Sequence, residues 1–223
     1  MSNRYWLRNL ALNVVLEALG AQSQTPVPQL VSSTPELGEL PTIARLRAKD
    51  GSVTLILGMR ESGKSVMAYR LAHLLGRPTY AVSPEETPPK WASELELEEL
   101  AQEPPPWSTL VMDDLPAYMS SRDYTDAYVK VVEQLIPVVR HRRKLHLIFS
   151  SQSSGLSDKW CMDADVILMK PLSFLYADLE RAAVKKLADK LMPLFNEMSE
   201  EQQLRHCYVF SRQFIGMCRV EKD

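Results

Sequence analysis

A glycine-rich segment that ends in a lysine and a serine has the clearest chemical meaning in this sequence. Residues 58–65 read Gly-Met-Arg-Glu-Ser-Gly-Lys-Ser, which fits the pattern G-x-x-x-x-G-K-[ST] at every fixed position. Glycines let such a loop curl until its N–H groups point inward at phosphates, and the helix that follows adds partial positive charge. The segment therefore predicts a phosphate-binding loop for a nucleoside triphosphate, ATP, with Mg²⁺.

Each position of the loop has an expected role. Lys64 should bridge the β- and γ-phosphates, and the Ser65 hydroxyl should ligate Mg²⁺. A glycine-rich turn with an incidental lysine is the alternative, but an apolar strand before the loop and an apolar helix after it argue against that reading. The expected nucleotide-binding residues are Gly58, Met59, Arg60, Glu61, Ser62, Gly63, Lys64, Ser65 and Val66.

Two adjacent carboxylates follow another apolar run, residues 109–112. An acid at the end of a neighbouring strand is what a phosphate loop needs to hold Mg²⁺, and Asp113 is the expected ligand. Asp114 is the expected base or polariser of the attacking water. Glu61 and Asp123 are the next candidates for this role. The alternative is an Asp pair in a solvated turn. A second acid beside the magnesium aspartate is the mark of the additional-strand catalytic-glutamate division of P-loop enzymes, although that division mostly has Glu here.

A basic stretch leads into a further apolar strand, residues 145–150, which ends at Ser151 and Gln152. A polar loop and another apolar strand, residues 165–170, come next. In this arrangement the sequence resembles the FtsK–HerA superfamily of DNA-pumping ATPases. The small size and the Asp-Asp pair look most similar to its viral genome-packaging ATPases, of the type found in internal-membrane icosahedral viruses. The resemblance covers about residues 51–170.

The resemblance implies several further roles. Gln152 becomes the candidate sensor of the γ-phosphate or of the attacking water, with a polar strand cap as the alternative. Arg140, Arg142 and Arg143 become candidate arginine fingers that act on the next subunit; they could instead touch DNA phosphates or form a solvated helix end. The implied partners are double-stranded DNA, further copies in a homo-oligomeric ring, expected to be a hexamer, and a capsid vertex or membrane protein. The implied location is the host cytoplasm and the virion.

Length and charge set limits on these expectations. The 223 residues suffice for one sizeable α/β domain. The formal net charge of −2 gives no support to a monomer that wraps nucleic acid. No membrane-spanning segment is expected. Cys207 and Cys218 could face each other across a C-terminal hairpin, as buried thiols or as a disulfide.

The pattern of apolar residues predicts an α/β fold: a three-layer P-loop NTPase core with a mostly parallel sheet, an N-terminal helical arm, and a C-terminal helix plus β-hairpin. Residues 1–50 are expected to be the arm, with a helix over 4–19 and a linker over 21–42, and residues 51–223 the ATPase domain. The predicted strands are 53–57, 79–82, 109–112, 145–150 and 166–169, and the hairpin is 207–210 with 214–219. The predicted helices are 64–75, 91–103, 117–144 and 175–198.

Three functions are compatible with this reading. The first is a motor that translocates double-stranded DNA into a viral capsid. The second is a nucleotide-gated assembly or export ATPase that moves nothing. The third is a small-molecule kinase, which would require an arginine-rich lid near the phosphates.

Overall fold

An eight-stranded sheet forms the centre of the protein. The computed structural model describes residues 31–83, 87–96, 99, 105–114, 144–152, 164–173 and 182–220. Its strands are β1 (Ser52–Leu57), β2 (Thr79–Val82), β3 (Ser93–Glu94), β4 (Thr109–Met112), β5 (His146–Ser151), β6 (Val166–Met169), β7 (His206–Phe210) and β8 (Ile215–Arg219).

The strand order decides which loops meet. The order is β3-β2-β4-β5-β1-β6-β7-β8. All pairs from β3 to β6 are parallel, whereas β7 and β8 run antiparallel. Strand β5 therefore separates β1 from β4. Because parallel strands share one carboxyl edge, the loops after β1, β4, β5 and β6 lie side by side.

Helices cover both faces of the sheet. They are a 3₁₀ turn (Leu37–Glu39), α1 (Pro41–Arg47), α2 (Lys64–Leu75), α3 (Ala182–Asn196) and α4 (Glu200–Arg205). Val53, Leu55 and Leu57 of β1 pack in an apolar cluster with α3, whereas Ile56 packs in a second cluster with α1 and α2. Because side chains alternate across a strand, one buried strand serves two cores. The predicted three-layer α/β fold with a mostly parallel sheet is confirmed.

The predicted bounds of the strands and helices agree with the structure at some elements and differ at others. The bounds of α2, β2, β4 and β6 are those predicted. β1 and each strand of the hairpin differ by one residue at one end, and β5 lies one residue later than predicted. The prediction of a helix over 91–103 is wrong where the chain is described, because Ser93–Glu94 pairs with β2 and the Leu95 N–H donates to Ala81 O at 2.8 Å. Of the 117–144 helix only Lys144 is described, and it is not helical. The helix over 4–19 lies outside the described residues.

The segment before residue 51 also differs from its prediction. Part of the predicted linker over 21–42 is helical, since the 3₁₀ turn and α1 begin within it. Leu37, Leu40, Ile43 and Leu46 are buried in the cluster with α2, and this burial stabilises a structure that composition alone did not indicate. The division into 1–50 and 51–223 stays a prediction.

The C-terminal hairpin carries the two facing cysteines. Cys207 and Cys218 are register partners in β7 and β8, and their sulfurs lie 3.3 Å apart as free, buried thiols. The predicted juxtaposition is confirmed.

The outer side of β8 meets the segment before the 3₁₀ turn. The Arg219 N–H donates to Pro35 O at 2.9 Å, and Glu36 forms an isolated bridge and an ion pair with Arg219. Within the described ranges, no helix combines the length and apolar character that crossing a membrane requires.

Candidate functional site

The loop after β1 has the backbone shape expected of a phosphate-binding loop. Gly63, which precedes α2, has φ +83°, a conformation that favours glycine. A Cβ placed on Gly58 would lie 2.6 Å from Ser62 Oγ and 2.7 Å from Lys170 Cβ, so no side chain fits there. Both glycines of the motif are thus required by the geometry.

Neighbouring strands hold the start of this loop. The Gly58 N–H donates to Ser151 O at 3.1 Å, and the Met59 N–H donates to Pro171 O at 2.7 Å. The loop is therefore attached to the end of β5 and to the segment that follows β6. Such attachment reduces the conformational entropy that nucleotide binding has to remove.

Lys64 is already oriented within the loop. Its side chain is buried, and Nζ donates to Met59 O at 2.8 Å. The ammonium thus reaches back from the start of α2 across the loop to residue 59. A cation in this position can exchange a carbonyl for the stronger contact with a phosphate oxygen.

The phosphate loop and the two carboxylates open onto one cavity of about 400 Å³. This volume lies within the size range of small-molecule sites, roughly 300–1,000 Å³. It is lined by Arg60, Glu61, Gly63, Lys64, Ser65, Val66, Ser83, Asp113, Asp114 and Leu204. The structure therefore brings Lys64 and Ser65 of the loop together with Asp113 and Asp114 at one cavity.

Asp113 is fixed by the strand next to its own. It is buried, and Oδ1 accepts the hydroxyl hydrogen of Ser150 on β5. The Asp114 N–H donates to Ser150 Oγ at 2.8 Å and lies 3.2 Å from Asp113 Oδ1. One serine thus orients the side chain of Asp113 and the backbone of Asp114.

Asp114 combines an uncommon backbone conformation with a buried side-chain oxygen that lacks a hydrogen-bond partner among the described residues. Its φ is +46°, an uncommon value for a residue with a side chain. Its Oδ1 is buried and has no hydrogen-bond partner among the described residues. A buried acceptor without a partner is costly in a folded protein, and the Asp114 carboxylate belongs to a residue on the cavity wall. It can accept a proton from a bound water.

The oxygen donors fit Mg²⁺. Ser65 offers a hydroxyl and Asp113 a carboxylate on the wall of the same cavity, and Mg²⁺ prefers oxygen ligands with several places left for water and phosphate. Ser62 has a buried hydroxyl with no partner in the described part of the chain, again within the loop.

Gln152 lies to one side of this cavity. With Met59, Arg60 and Ser173 it lines a second cavity of about 470 Å³, and Arg60 borders both. Its role as a sensor stays a prediction. Arg140, Arg142, Arg143 and Asp123 lie outside the described residues.

Two residues at the site were not predicted from the sequence. Leu204, half-exposed in α4, lines the cavity that the phosphate loop shares with Asp113 and Asp114. Lys170 is fully buried beneath the loop, and burial lowers its pKa to about 8. A lysine directly after four apolar residues of a strand was the available signal for Lys170; Leu204 had none.

Comparison with known proteins gives a fold and no closer relation. No protein-family model matches the sequence. No curated protein matches it. Solved structures do match, and the similarity extends over most of the chain.

These structures are viral packaging enzymes. The genome-packaging NTPase of Sulfolobus turreted icosahedral virus 2 in complex with sulfate has a TM-score of 0.56 and 13% identity, over 78% of this chain and 99% of that one. Its complex with ATPγS gives 0.54 and 14%, over 77% and 98%. The DNA-packaging ATPase of Sulfolobus turreted icosahedral virus gives 0.51 and 14%, over 78% and 99%. This chain therefore has the P-loop NTPase fold of the viral genome-packaging NTPases.

Proposed function

We propose that this chain is an ATP-hydrolysing motor that translocates double-stranded DNA into a viral capsid. The observation that carries the enzymatic part is the convergence of the phosphate loop with Asp113 and Asp114 on one cavity. The similar structures are NTPases, and some are complexes with nucleotide analogues, which supports hydrolysis of a nucleoside triphosphate.

The residues of the cavity divide the chemistry among themselves. The backbone N–H groups of the loop and Lys64 bind the phosphates and offset the charge that develops on them. Ser65 and Asp113 would hold Mg²⁺, which when bound supplies further positive charge to the β- and γ-phosphates. Asp114 accepts the proton of the water that attacks the γ-phosphorus. The bond from that phosphorus to the bridging oxygen breaks, and ADP and phosphate are released.

The position of the Asp pair favours hydrolysis over transfer to a small molecule. The Asp114 backbone and the Asp113 side chain both bond to Ser150, so the residue that carries the second carboxylate is held next to the proposed metal ligand. This arrangement supports a role for Asp114 as acceptor of the proton from the attacking water. A small-molecule kinase would instead need a site for its acceptor substrate.

The motor part of the proposal has a different support. It rests on the shared fold with a viral genome-packaging NTPase and on the sequence features of residues 142–152. A motor of this type works as a homo-oligomeric ring, which we propose to be a hexamer, with double-stranded DNA in the pore and a capsid vertex or membrane protein at its base. We propose the host cytoplasm and the virion as its locations.

The deciding experiment measures ATP hydrolysis and molecular size together. The purified chain is assayed with ATP and Mg²⁺, with and without linear double-stranded DNA, and its mass is followed by light scattering under the same conditions. We expect a ring to form with nucleotide and DNA to stimulate hydrolysis. ATP hydrolysis at a rate that DNA does not change would favour an assembly or export ATPase. ATP consumption that DNA does not change, and that yields a phosphorylated small molecule, would favour a kinase.

A further inference from the structure

Lys170 joins two parts of the protein that the reaction scheme leaves unconnected. It directly follows β6, is fully buried, and its Nζ donates to Gln203 O at 2.8 Å, Leu204 O at 2.8 Å and His206 O at 2.9 Å. These carbonyls belong to the end of α4 and the start of β7. The ammonium thus uses all three of its hydrogens on one short segment, residues 203–206.

The same side chain forms the floor of the phosphate loop. Its backbone N–H donates to Leu57 O at 2.8 Å, and its Cβ lies 2.7 Å from where a Cβ of Gly58 would be. Its Nζ lies 3.8 Å from the corresponding position on Gly63, and Leu204 O lies 3.5 Å from that position. Lys170 therefore runs beneath the loop from its first glycine to its second, with Leu204 beside it.

A buried ammonium group at this position is energetically unfavourable. An ammonium loses its hydration when buried, whereas a methionine would fill similar space without that cost. Burial is the largest cause of the lowered pKa of Lys170, and the Lys64 ammonium lowers it further, while the thiols of Cys207 and Cys218 oppose the shift. His206, whose carbonyl Lys170 binds, also has a lowered pKa, chiefly through burial.

We propose that Lys170 is a positioning residue of the nucleotide site, which couples occupancy of the phosphate loop to the segment 203–206 and to Leu204 on the cavity wall. The proposal rests on the nucleotide binding proposed above. Bound phosphates would stabilise the charged form of Lys170 as they stabilise Lys64. The charged form in turn binds all three carbonyls, so the segment is held most firmly when nucleotide is present.

The first test replaces the ammonium while keeping the stem. Lys170→Met is compared with Lys49→Met, which removes a partly buried lysine that bonds to Asp165 at the far edge of the sheet. The Kd of a fluorescent ADP analogue is measured well below the melting temperature of each variant. For Lys170→Met we expect a Kd about tenfold higher than wild type, within the usual range of couplings between two sites. Lys49→Met should bind as wild type does. A wild-type Kd in Lys170→Met would overturn the proposal.

The second test uses the wild-type chain and does not depend on how the variant folds. Calorimetric titration with ADP in two buffers of different ionisation enthalpy measures protons taken up on binding. At pH 8 to 8.5 the phosphates of ADP are already ionised, whereas Lys170, with a pKa of about 8, is partly neutral. We expect a fractional proton uptake in this range, and an affinity that falls as the pH rises through it. Binding without proton uptake would overturn the coupling.

A third variant tests the far end of the connection. Leu204→Ala changes a half-exposed side chain, so the fold should persist. It should raise the Kd of the ADP analogue but not that of inorganic pyrophosphate, which lacks a ribose and base. If Leu204→Ala binds each of the two ligands with the wild-type Kd, the proposed role of Leu204 on the cavity wall is contradicted. A wild-type chain that binds neither ligand would overturn the proposed function itself, rather than the role of Lys170 alone.

Discussion

Ser150 on β5 donates its hydroxyl hydrogen to Oδ1 of Asp113 at the end of β4. The hydroxyl oxygen of Ser150 also accepts the N–H of Asp114 at 2.8 Å. Strand β5 also carries Ser151, whose carbonyl accepts the N–H of Gly58 in the phosphate loop. The end of β5 thus sets the distance between Asp113 and the phosphate loop.

Ser150→Ala should therefore weaken the metal-dependent step. Loss of a bond that orients a metal-binding group typically reduces metal affinity or activity by about 10–100-fold. The measurement is the Mg²⁺ dependence of ATP hydrolysis, with Ser52→Ala as control, since Ser52 bonds to His146 at the opposite end of the neighbouring strand. The same Mg²⁺ dependence in Ser150→Ala and wild type would show that Asp113 needs no such support.

Lys64→Ala should abolish hydrolysis and weaken nucleotide binding. Removal of one preorganised donor to developing charge typically lowers kcat by about 100- to 1,000-fold. The fold should survive, because the side chain lines a cavity and its Nζ donates to the carbonyl of Met59 within the same loop. Turnover and circular dichroism are compared with Lys186→Ala, an exposed lysine of α3. Near-normal turnover in Lys64→Ala would end the phosphate-loop interpretation.

The two carboxylates should fail differently. Asp114→Asn should still bind ATP with Mg²⁺ but hydrolyse it about 100- to 10,000-fold more slowly, because the proton acceptor is lost. Asp113→Asn should lose Mg²⁺-dependent hydrolysis, because a metal ligand is lost. Single-turnover rates and Mg²⁺ titrations separate the two outcomes. Normal turnover in Asp114→Asn would move the role of base to Glu61 or Asp123.

The arginine-finger hypothesis predicts complementation between defective chains. Loss of Arg140, Arg142 or Arg143 should slow hydrolysis without weakening ATP binding, because a finger acts on charge that develops in the transition state. A chain lacking the finger keeps its site, and Lys64→Ala keeps its finger, so mixing the two should restore activity at some interfaces. If mixing restores none, the basic stretch is better explained as a DNA contact, and its loss should reduce the salt dependence of DNA binding.

Acid should destabilise the fold through His146. This histidine is buried, Nδ1 lies 2.7 Å from Ser52 Oγ, and burial lowers its pKa to about 4 from 6.5. Between these values the unfolded chain binds a proton that the folded chain does not. The free energy of unfolding should therefore fall as the pH drops from 6.5 towards 4, by up to about 3 kcal/mol from this group.

Urea unfolding at a series of pH values measures this dependence. His146→Asn, which keeps a polar side chain but does not titrate, should flatten the curve in that window. His73→Asn, at an exposed position, should leave it unchanged. An equally steep curve in His146→Asn would assign the acid sensitivity to other groups.

The parts of the fold and site that were predictable are those with a local signal. The phosphate loop has a fixed spacing, α2 follows it with a broad apolar face, and Asp113 and Asp114 end an apolar run. Each of these can be recognised within about twelve residues, because local periodicity and turn chemistry determine them.

The parts that were missed depend on distant partners. Residues 93–94 become a strand only because β2 leaves an edge to pair with, although their acidic surroundings favour a helix. Helix α1 is stabilised by burial against α2. The bonds from Lys170 to residues 203–206 span more than thirty positions, so no local pattern could reveal them.

Each outer strand of the sheet, as far as the described residues go, has a feature that disfavours pairing with another chain. At one end β3 has only two residues, and at the other the backbone of Arg219 is already bonded to Pro35. Short or covered edges prevent strand addition between molecules. Copies in a ring would then touch through side chains and loops, and such contacts can slide and be remade at each turnover, as a continuous intermolecular sheet could not.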